Sequence, residues 1–528
     1  MKKNLPGFLL VLILLATGFH WFDRRSEGPV VVYLVDTLRP DRMSVYGASR
    51  ETTPAALELA RDSVLFENAF AVSTWTRPSV ATLLTSLLPE ETATWNRYGR
   101  LDETAAWLPA LLQRAGWRTA AFVGNGNIFD ERLGFRRGFA NFLAITGDND
   151  SWKPSARQVV DPAVEFILRQ TSPHFFLYVH VLDPHLPYLL EPSSRELFSS
   201  GPDTPATPRE QLLLDYDRAV RQSDDQFRRI AEALRHKSWW GPATVIYTAD
   251  HGEEFYEHGD QGHGRTLYDE QVRVPLLIKF PAQKDAGQRR ADQVSLADVT
   301  PTLADIAGLA RSDRWIGRSL RRASSSAGRA LYLTESLDDV RVSGLRTESR
   351  KLVVQLYPDF KRAVYDLARD PREQAGTPMP CGDRTALETQ PLYRLFQSLH
   401  ARDVAATPGI QIEKVRRDAS LLDLAVNLGD TTKPFLTAED YCSFRSAIEG
   451  SGLRIRRNIS ANDPFELRIA ADDRGNLPIA RIGEGTNAFR LTHTTRRLID
   501  GPTSDEMMRR LRALGYLGGD AKSPHSSN

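Results

Sequence analysis

The apolar positions of this chain fall into two patterns. Short runs without polar alternation, GPVVVYLV, HFFLYVHVL and PATVIYT, read as strands buried on both faces, the habit of parallel sheets packed between helices. Between them lie stretches with apolar residues at helical spacing. TTPAALELARDSVLF opens on Thr53 and Pro54, a helix start signal, and PSVATLLTSLL opens on Pro78 in the same way. DETAAWLPALLQRAGWRTAAFVG reads as a helix stopped at Gly116 and followed by a strand. YDRAVRQSDDQFRRIAEALRHK is amphipathic, with Val220, Phe227, Ile230 and Leu234 near one face. Strand and helix alternating from Gly28 onward predict an α/β fold, a mostly parallel sheet flanked by helices.

LEPSSRELFSSGPDTPATPRE interrupts the alternation as a Pro/Ser-rich loop long enough to cover a site. Further on, GIQIEKVRRDASLLDLAVNLGD and DPFELRIAADDRGNLPIARIGEG show short alternating runs broken by turn residues, which predict a small β-rich addition. It carries no clustered acids or histidines and reads as structural or partner-binding.

Composition changes the picture in three places. A chain of 528 residues is too long for one core. Lys+Arg 68 against Asp+Glu 67 leaves a formal net charge of +1, which argues against a nucleic-acid partner. Cys381 and Cys442 lie far from the histidines and acids below, so a thiolate metal site is not expected, and pairing between the two stays open. At the N-terminus, Lys2 and Lys3 precede LPGFLLVLILLATGFHWF, and Asp23, Arg24 and Arg25 follow. A bilayer span takes about 20 apolar residues. The segment reads as an uncleaved single membrane anchor with the catalytic part outside the cytoplasm; the alternative is a cleaved signal and a secreted or periplasmic protein.

Chemistry concentrates where the apolar strands end. Asp36 leaves the first run and Arg39 follows it in VDTLRPDRMSVYG; Asp183 and His185 leave the second in HVLDPHLPY; Asp250 and His251 leave the third in TADHGEEFYEHGDQGHG, which also holds His263. In parallel sheets ligands bind beyond the carboxyl ends of the strands, so these residues converge on one edge. Of the chain's 11 histidines, His180, His185, His251, His258 and His263 fall in the last two segments. Alone, His180 reads as a packed strand residue and His258 as part of a solvated loop. Thr76 stands two residues before Pro78, at an expected helix N-terminus, where free N–H groups and the helix dipole favour an anion. A simple N-cap is its plainer reading.

Together these segments resemble the sulfatase-like branch of the alkaline phosphatase superfamily. The resemblance runs from Gly28 to Glu373 and includes VSLADVTPTLADIAGL and VYDLARDPRE, with LRALGYLGG similar to a tail of the same group. Together with the N-terminal and β-rich readings above, the resemblance divides the chain into an N-terminal anchor or signal over 1–25, a catalytic domain over 28–375, an accessory β-rich region over 376–505 and a C-terminal helix and tail over 506–528. It also implies roles. Asp36, Asp250 and His251 resemble the metal ligands, with Thr76 as a metal-bound nucleophile. His185 and His263 resemble the residues that hold the substrate oxyanion or protonate its leaving group. Arg77 and Arg39 would add charge to the anion pocket, and Asp183 with His185 and His263 would hold a second metal if there is one.

Departures from the family pattern shift the expected chemistry. Sulfatases mature a Cys or Ser to formylglycine, whereas here the matching stretch is Thr76-Arg77-Pro78-Ser79-Val80, and threonine is not a precursor of that group. Thr37 replaces the second acid after the first strand. One acid fewer and an imidazole ligand suit zinc or manganese better than calcium. The resemblance therefore points first to hydrolysis or transfer of a phosphoester through a phosphothreonine, similar to phosphodiesterases and phosphoethanolamine or phosphoglycerol transferases. Sulfuric ester hydrolysis is the alternative, and an inactive anion-binding relative a third reading. The expected partner is a small phosphoester or sulfate-ester substrate, lipid- or glycan-linked.

Overall fold

A computed structural model describes residues 28–378, apart from short internal stretches, and four strands between 410 and 491. The N-terminal segment, Cys381, Cys442 and the C-terminal helix and tail lie outside the described residues. Among the described residues no helix is long and apolar enough to cross a membrane.

The strands in chain order are β1 Val30–Val35, β2 Val64–Phe70, β3 Arg118–Val123, β4 Asn141–Ala144, β5 Phe175–Val181, β6 Thr244–Thr248, β7 Glu254–Phe255, β8 Gln261–Gly262, β9 Arg273–Lys279 and β10 Arg289–Ser295. Eight of these form one sheet in the order β10-β2-β9-β6-β1-β5-β3-β4. Its neighbours run parallel except at β9, which is antiparallel to both β2 and β6. Every residue of β1, β5 and β6 is buried, as the unbroken apolar runs require of central strands covered on both faces.

The helices are α1 Pro54–Asp62, α2 Thr76–Thr85, α3 Leu108–Arg114, α4 Gly126–Phe129, α5 Ala156–Arg169, α6 Pro192–Arg195, α7 Pro208–His236, α8 Asp269–Val272 and α9 Val299–Ile306. Helix α7 starts well before its expected span, inside the stretch read as loop. The reason is a capping box: Thr207 Oγ1 accepts from Glu210 N at 3.2 Å, and Glu210 Oε2 accepts from Thr207 N at 3.1 Å. The start of α1 is held differently from expectation, since Thr53 makes no side-chain cap bond there. Asp224 of α7 reaches across instead, accepting from Ala55 N at 2.6 Å and Ala56 N at 2.9 Å.

A second, antiparallel sheet follows: β11 Leu331–Glu335, β12 Arg341–Arg346, β13 Arg350–Tyr357, β14 Lys361–Asp366 and β15 Thr377–Pro378. Phe70, Leu267 and Val272 on the catalytic side pack with Leu331, Leu333 and Val342 of this sheet in one buried apolar cluster. The expected β-rich C-terminal addition is represented by the antiparallel pairs Ile410–Asp418 with Leu421–Leu428 and Phe465–Leu467 with Phe489–Leu491.

Candidate active site

Register places the site. Leu34 of β1 lies opposite His180 of β5 and Thr248 of β6, and His180 lies opposite Val123 of β3. Asp36, Asp250 and Asn125 each stand two residues beyond that line, so three strands deliver polar side chains to one level at the carboxyl edge.

There Asp36, Asp250 and His251 offer ligand atoms within 4.8 Å of one another, all from buried residues. His251 Nε2 is 3.7 Å from Asp36 Oδ1 and 3.5 Å from Asp250 Oδ2, too long for good hydrogen bonds. These three atoms are buried without a hydrogen-bond partner among the described residues. Orphaned acceptors of this kind are costly unless something else satisfies them. His251 Nδ1 lies 2.9 Å from the Gly252 carbonyl, which assigns the proton to Nδ1 and leaves the Nε2 lone pair facing the carboxylates. Two carboxylates and one imidazole fit a divalent transition metal.

Thr76 begins α2 and is fully buried. Asn125 Nδ2 donates to Asp36 Oδ2 at 2.5 Å and to Thr76 Oγ1 at 3.1 Å, so one carboxamide ties a candidate ligand to the candidate nucleophile. Ser79 Oγ, one helical turn on, donates to the Asp250 carbonyl at 2.5 Å. Thr37 is buried with φ 58, a left-handed conformation that is costly for a β-branched residue, and its N–H reaches Asp250 Oδ1 at 3.3 Å.

The imidazoles fill one wall. The His263 ring centre is 4.4 Å from that of His251 and 5.1 Å from that of His185. Burial lowers His185 to about 4 and holds His263 well below its usual value, so both rings are neutral near pH 7. His263 Nδ1 is 2.8 Å from Glu253 Oε1, and burial raises the Glu253 carboxyl to about 7. Asp36 moves the other way: burial pushes it up, but the hydrogen bond from His180 and the nearby His185 and His251 outweigh this and hold it below the carboxylate range.

Several expected residues take other parts. His180 is not mere packing: its Nε2 lies 3.1 Å from Asp36 Oδ2, and its Nδ1 meets the Tyr178 hydroxyl at 3.1 Å. His258 sits on the exposed turn between β7 and β8, as expected, but its ring is shielded there: it stacks on Tyr268 at 3.5 Å between ring centres and lies 3.1 Å from Glu270. Asp183 is engaged by Lys153 Nζ at 3.0 Å, Ala156 N at 3.0 Å and Gln222 Nε2 at 2.8 Å. An ammonium against its carboxylate is the wrong environment for a second cation, and among the described residues the group Asp36, Asp250, His251 alone has metal-binding spacing. Arg39 spends its guanidinium on Asp41, Glu257 and the Glu253 carbonyl. Arg77 binds the carbonyls of Asn127 and Gly99 beside the Trp75 ring. Both arginines brace the loops around the pocket. Asn125 and Lys153 had no local motif to announce them; the strand ending AAFVGN was the one available signal for Asn125.

Three comparisons bear on what this arrangement is. The sequence profile of the family described as Sulfatase matches residues 29–309, and that of the N-sulphoglucosamine sulphohydrolase C-terminal region matches residues 257–378. An N-acetylglucosamine-6-O-sulfatase of Bacteroides thetaiotaomicron is 23% identical over 494 residues, covering 71% of this chain and 87% of the relative. The solved structure of BT4656 with its substrate D-glucosamine-2-N,6-O-disulfate superposes with a TM-score of 0.62 at 19% identity, over 72% of this chain and 98% of that one. The phosphonate monoester hydrolase of Agrobacterium radiobacter gives a TM-score of 0.61 at 19% identity, over 74% and 100%. The two structural likenesses establish the fold.

Proposed function

This chain belongs to the sulfatase family of hydrolases, and within that family we propose that it cleaves sulfuric esters carried on a glycan, with Thr76 at the reacting centre. The observation that carries the reading is the buried, unsatisfied set Asp36 Oδ1, Asp250 Oδ2 and His251 Nε2, held next to Thr76 by Asn125. The preference for sulfate over the phosphoester first expected rests on the relatives, one of which is an N-acetylglucosamine-6-O-sulfatase.

In this reading Asp36, Asp250 and His251 would hold one divalent metal, zinc or manganese by donor type. Such an ion would supply charge stabilisation at the ester oxygens and a lowered hydroxyl pKa. The protein's own groups do the rest. Asn125 fixes the Thr76 oxygen beside Asp36. The first turn of α2 presents main-chain N–H groups to the anion. Neutral His263 donates to the departing oxygen from Nε2, with Glu253 exchanging a proton at its Nδ1, while neutral His185, whose Nδ1 proton is held by the Leu186 carbonyl, stands beside His263 as an acceptor.

One residue favours a second reading. Thr76 offers a plain hydroxyl where family members mature a Cys or Ser, and a hydroxyl attacking phosphorus gives a phosphothreonine that water or an alcohol can release. The test is turnover of paired aryl sulfate and aryl phosphate mono- and diesters with zinc or manganese, wild type beside Thr76→Ala. Sulfate turnover lost in the variant supports the proposal. Phosphoester turnover alone moves the function to the second reading. Absence of both, with metal bound, overturns the two together.

A further inference from the structure

The loop that presents Thr76 is gripped from outside the catalytic sheet. Glu335 ends β11 of the second sheet and is 1% exposed. One of its carboxylate oxygens, Oε2, accepts from Ser73 Oγ at 2.8 Å, Thr74 N at 3.0 Å and Thr74 Oγ1 at 2.8 Å. Immediately before it, Thr334 N donates to the Val72 carbonyl at 2.8 Å. Residues 72–74 are therefore pinned to the end of β11 two residues ahead of Thr76. Just beyond, Leu337 covers the other wall: a Cβ added at Gly264, next to His263, would meet Leu337 Cδ2 at 2.7 Å. Gly264 has φ +82, so that close approach is built on a conformation few other residues adopt.

We propose that Glu335 is a positioning residue for the reaction: through Ser73 and Thr74 it sets the Thr76 oxygen against Asn125 and Asp36. The second sheet thereby completes the active site, the end of β11 indexing the nucleophile loop and the His263 loop to each other. This rests on Thr76 being the reacting group. Three donors converging on one anionic oxygen give charge-assisted bonds, about twice as strong as those to a neutral acceptor. The apolar cluster between the sheets supplies the docking, leaving the carboxylate to define the loop.

The experiment compares full-length wild type, Glu335→Gln and Glu335→Ala. Glu335→Gln keeps the shape and an accepting oxygen but removes the charge. We expect kcat to fall about tenfold in Glu335→Gln and about a hundredfold in Glu335→Ala, the scale of an ångström of misplacement. KM should stay within about threefold, and zinc or manganese binding should match wild type. If Glu335→Ala does not fold, Ser73→Ala/Thr74→Val, which removes two donors, carries the same expectation beside Glu335→Gln. Unchanged kcat in the folded variants, or a rise in KM alone, overturns the proposal. Should wild type turn over no ester, the functional reading fails separately. The positioning role is then read from a crystal structure of Glu335→Gln: loss of the 3.1 Å Asn125–Thr76 contact supports it, and retention overturns it.

Discussion

Replacing Lys153 by Met separates two accounts of the loop that carries His185. Lys153 Nζ lies 3.0 Å from Asp183 Oδ1, with both side chains fully shielded from solvent. It also donates to the Pro187 carbonyl at 3.0 Å and to that of His185. Methionine keeps the length of the stem and removes the charge. Losing one partner of a buried ion pair costs about 3–5 kcal/mol, because the other charge stays buried and uncompensated. Ala156 N and Gln222 Nε2 still donate to Asp183, and such bonds offset about 1 kcal/mol. The net expectation is roughly 2–4 kcal/mol, read from urea unfolding followed by tryptophan fluorescence. The same titration with zinc or manganese present tests the other account. If Asp183 served a second metal, removing the ammonium would free that carboxylate and added metal would restore the lost stability. We expect metal to shift wild type and Lys153→Met equally. A loss below about 1 kcal/mol, or its full recovery by metal, would refute the ion-pair reasoning.

Three further outcomes follow from the same geometry. His251→Gln removes the Nε2 donor between Asp36 and Asp250, and bound metal after dialysis should drop to under about a tenth of wild type; equal metal content would remove His251 from the ligand set. Asn125→Ala breaks the link between Asp36 and Thr76, so kcat should fall about 10–100-fold with metal content kept, and a change confined to KM would contradict the assignment. Asp224→Ala strips the first turn of α1 of its only side-chain cap among the described residues. It should lower unfolding free energy by about 2 kcal/mol without touching metal binding; a loss under about 0.5 kcal/mol would show that the cap is dispensable.

What could be read along the chain, and what could not, follows from how each position is determined. The α/β architecture was legible because β1, β5 and β6 are buried on both faces and so carry no polar alternation. Asp36 and Asp250 were legible as edge residues for the same reason: a strand's end fixes the level of the next residues, and the register of Leu34 against His180 and Thr248 makes those levels coincide. Other residues owe their roles to partners that only folding brings near. Asn125 meets Thr76 across 49 positions, Lys153 meets the His185 carbonyl across 32, and Glu335 meets Ser73 across 262. No local spacing encodes such meetings. The same logic explains the two arginines. Arg39 and Arg77 look from sequence like charge for an anion, but each was placed by nearness along the chain. In the fold, Asp41 and Glu257 take one, and the carbonyls of Asn127 and Gly99 take the other. His180 fails in the opposite direction. Its place within an apolar strand argues for packing, and only the adjacency of β1 turns its Nε2 onto Asp36. Charge carried to a site is thus legible where a strand delivers it, and hidden where a second element neutralises or redirects it.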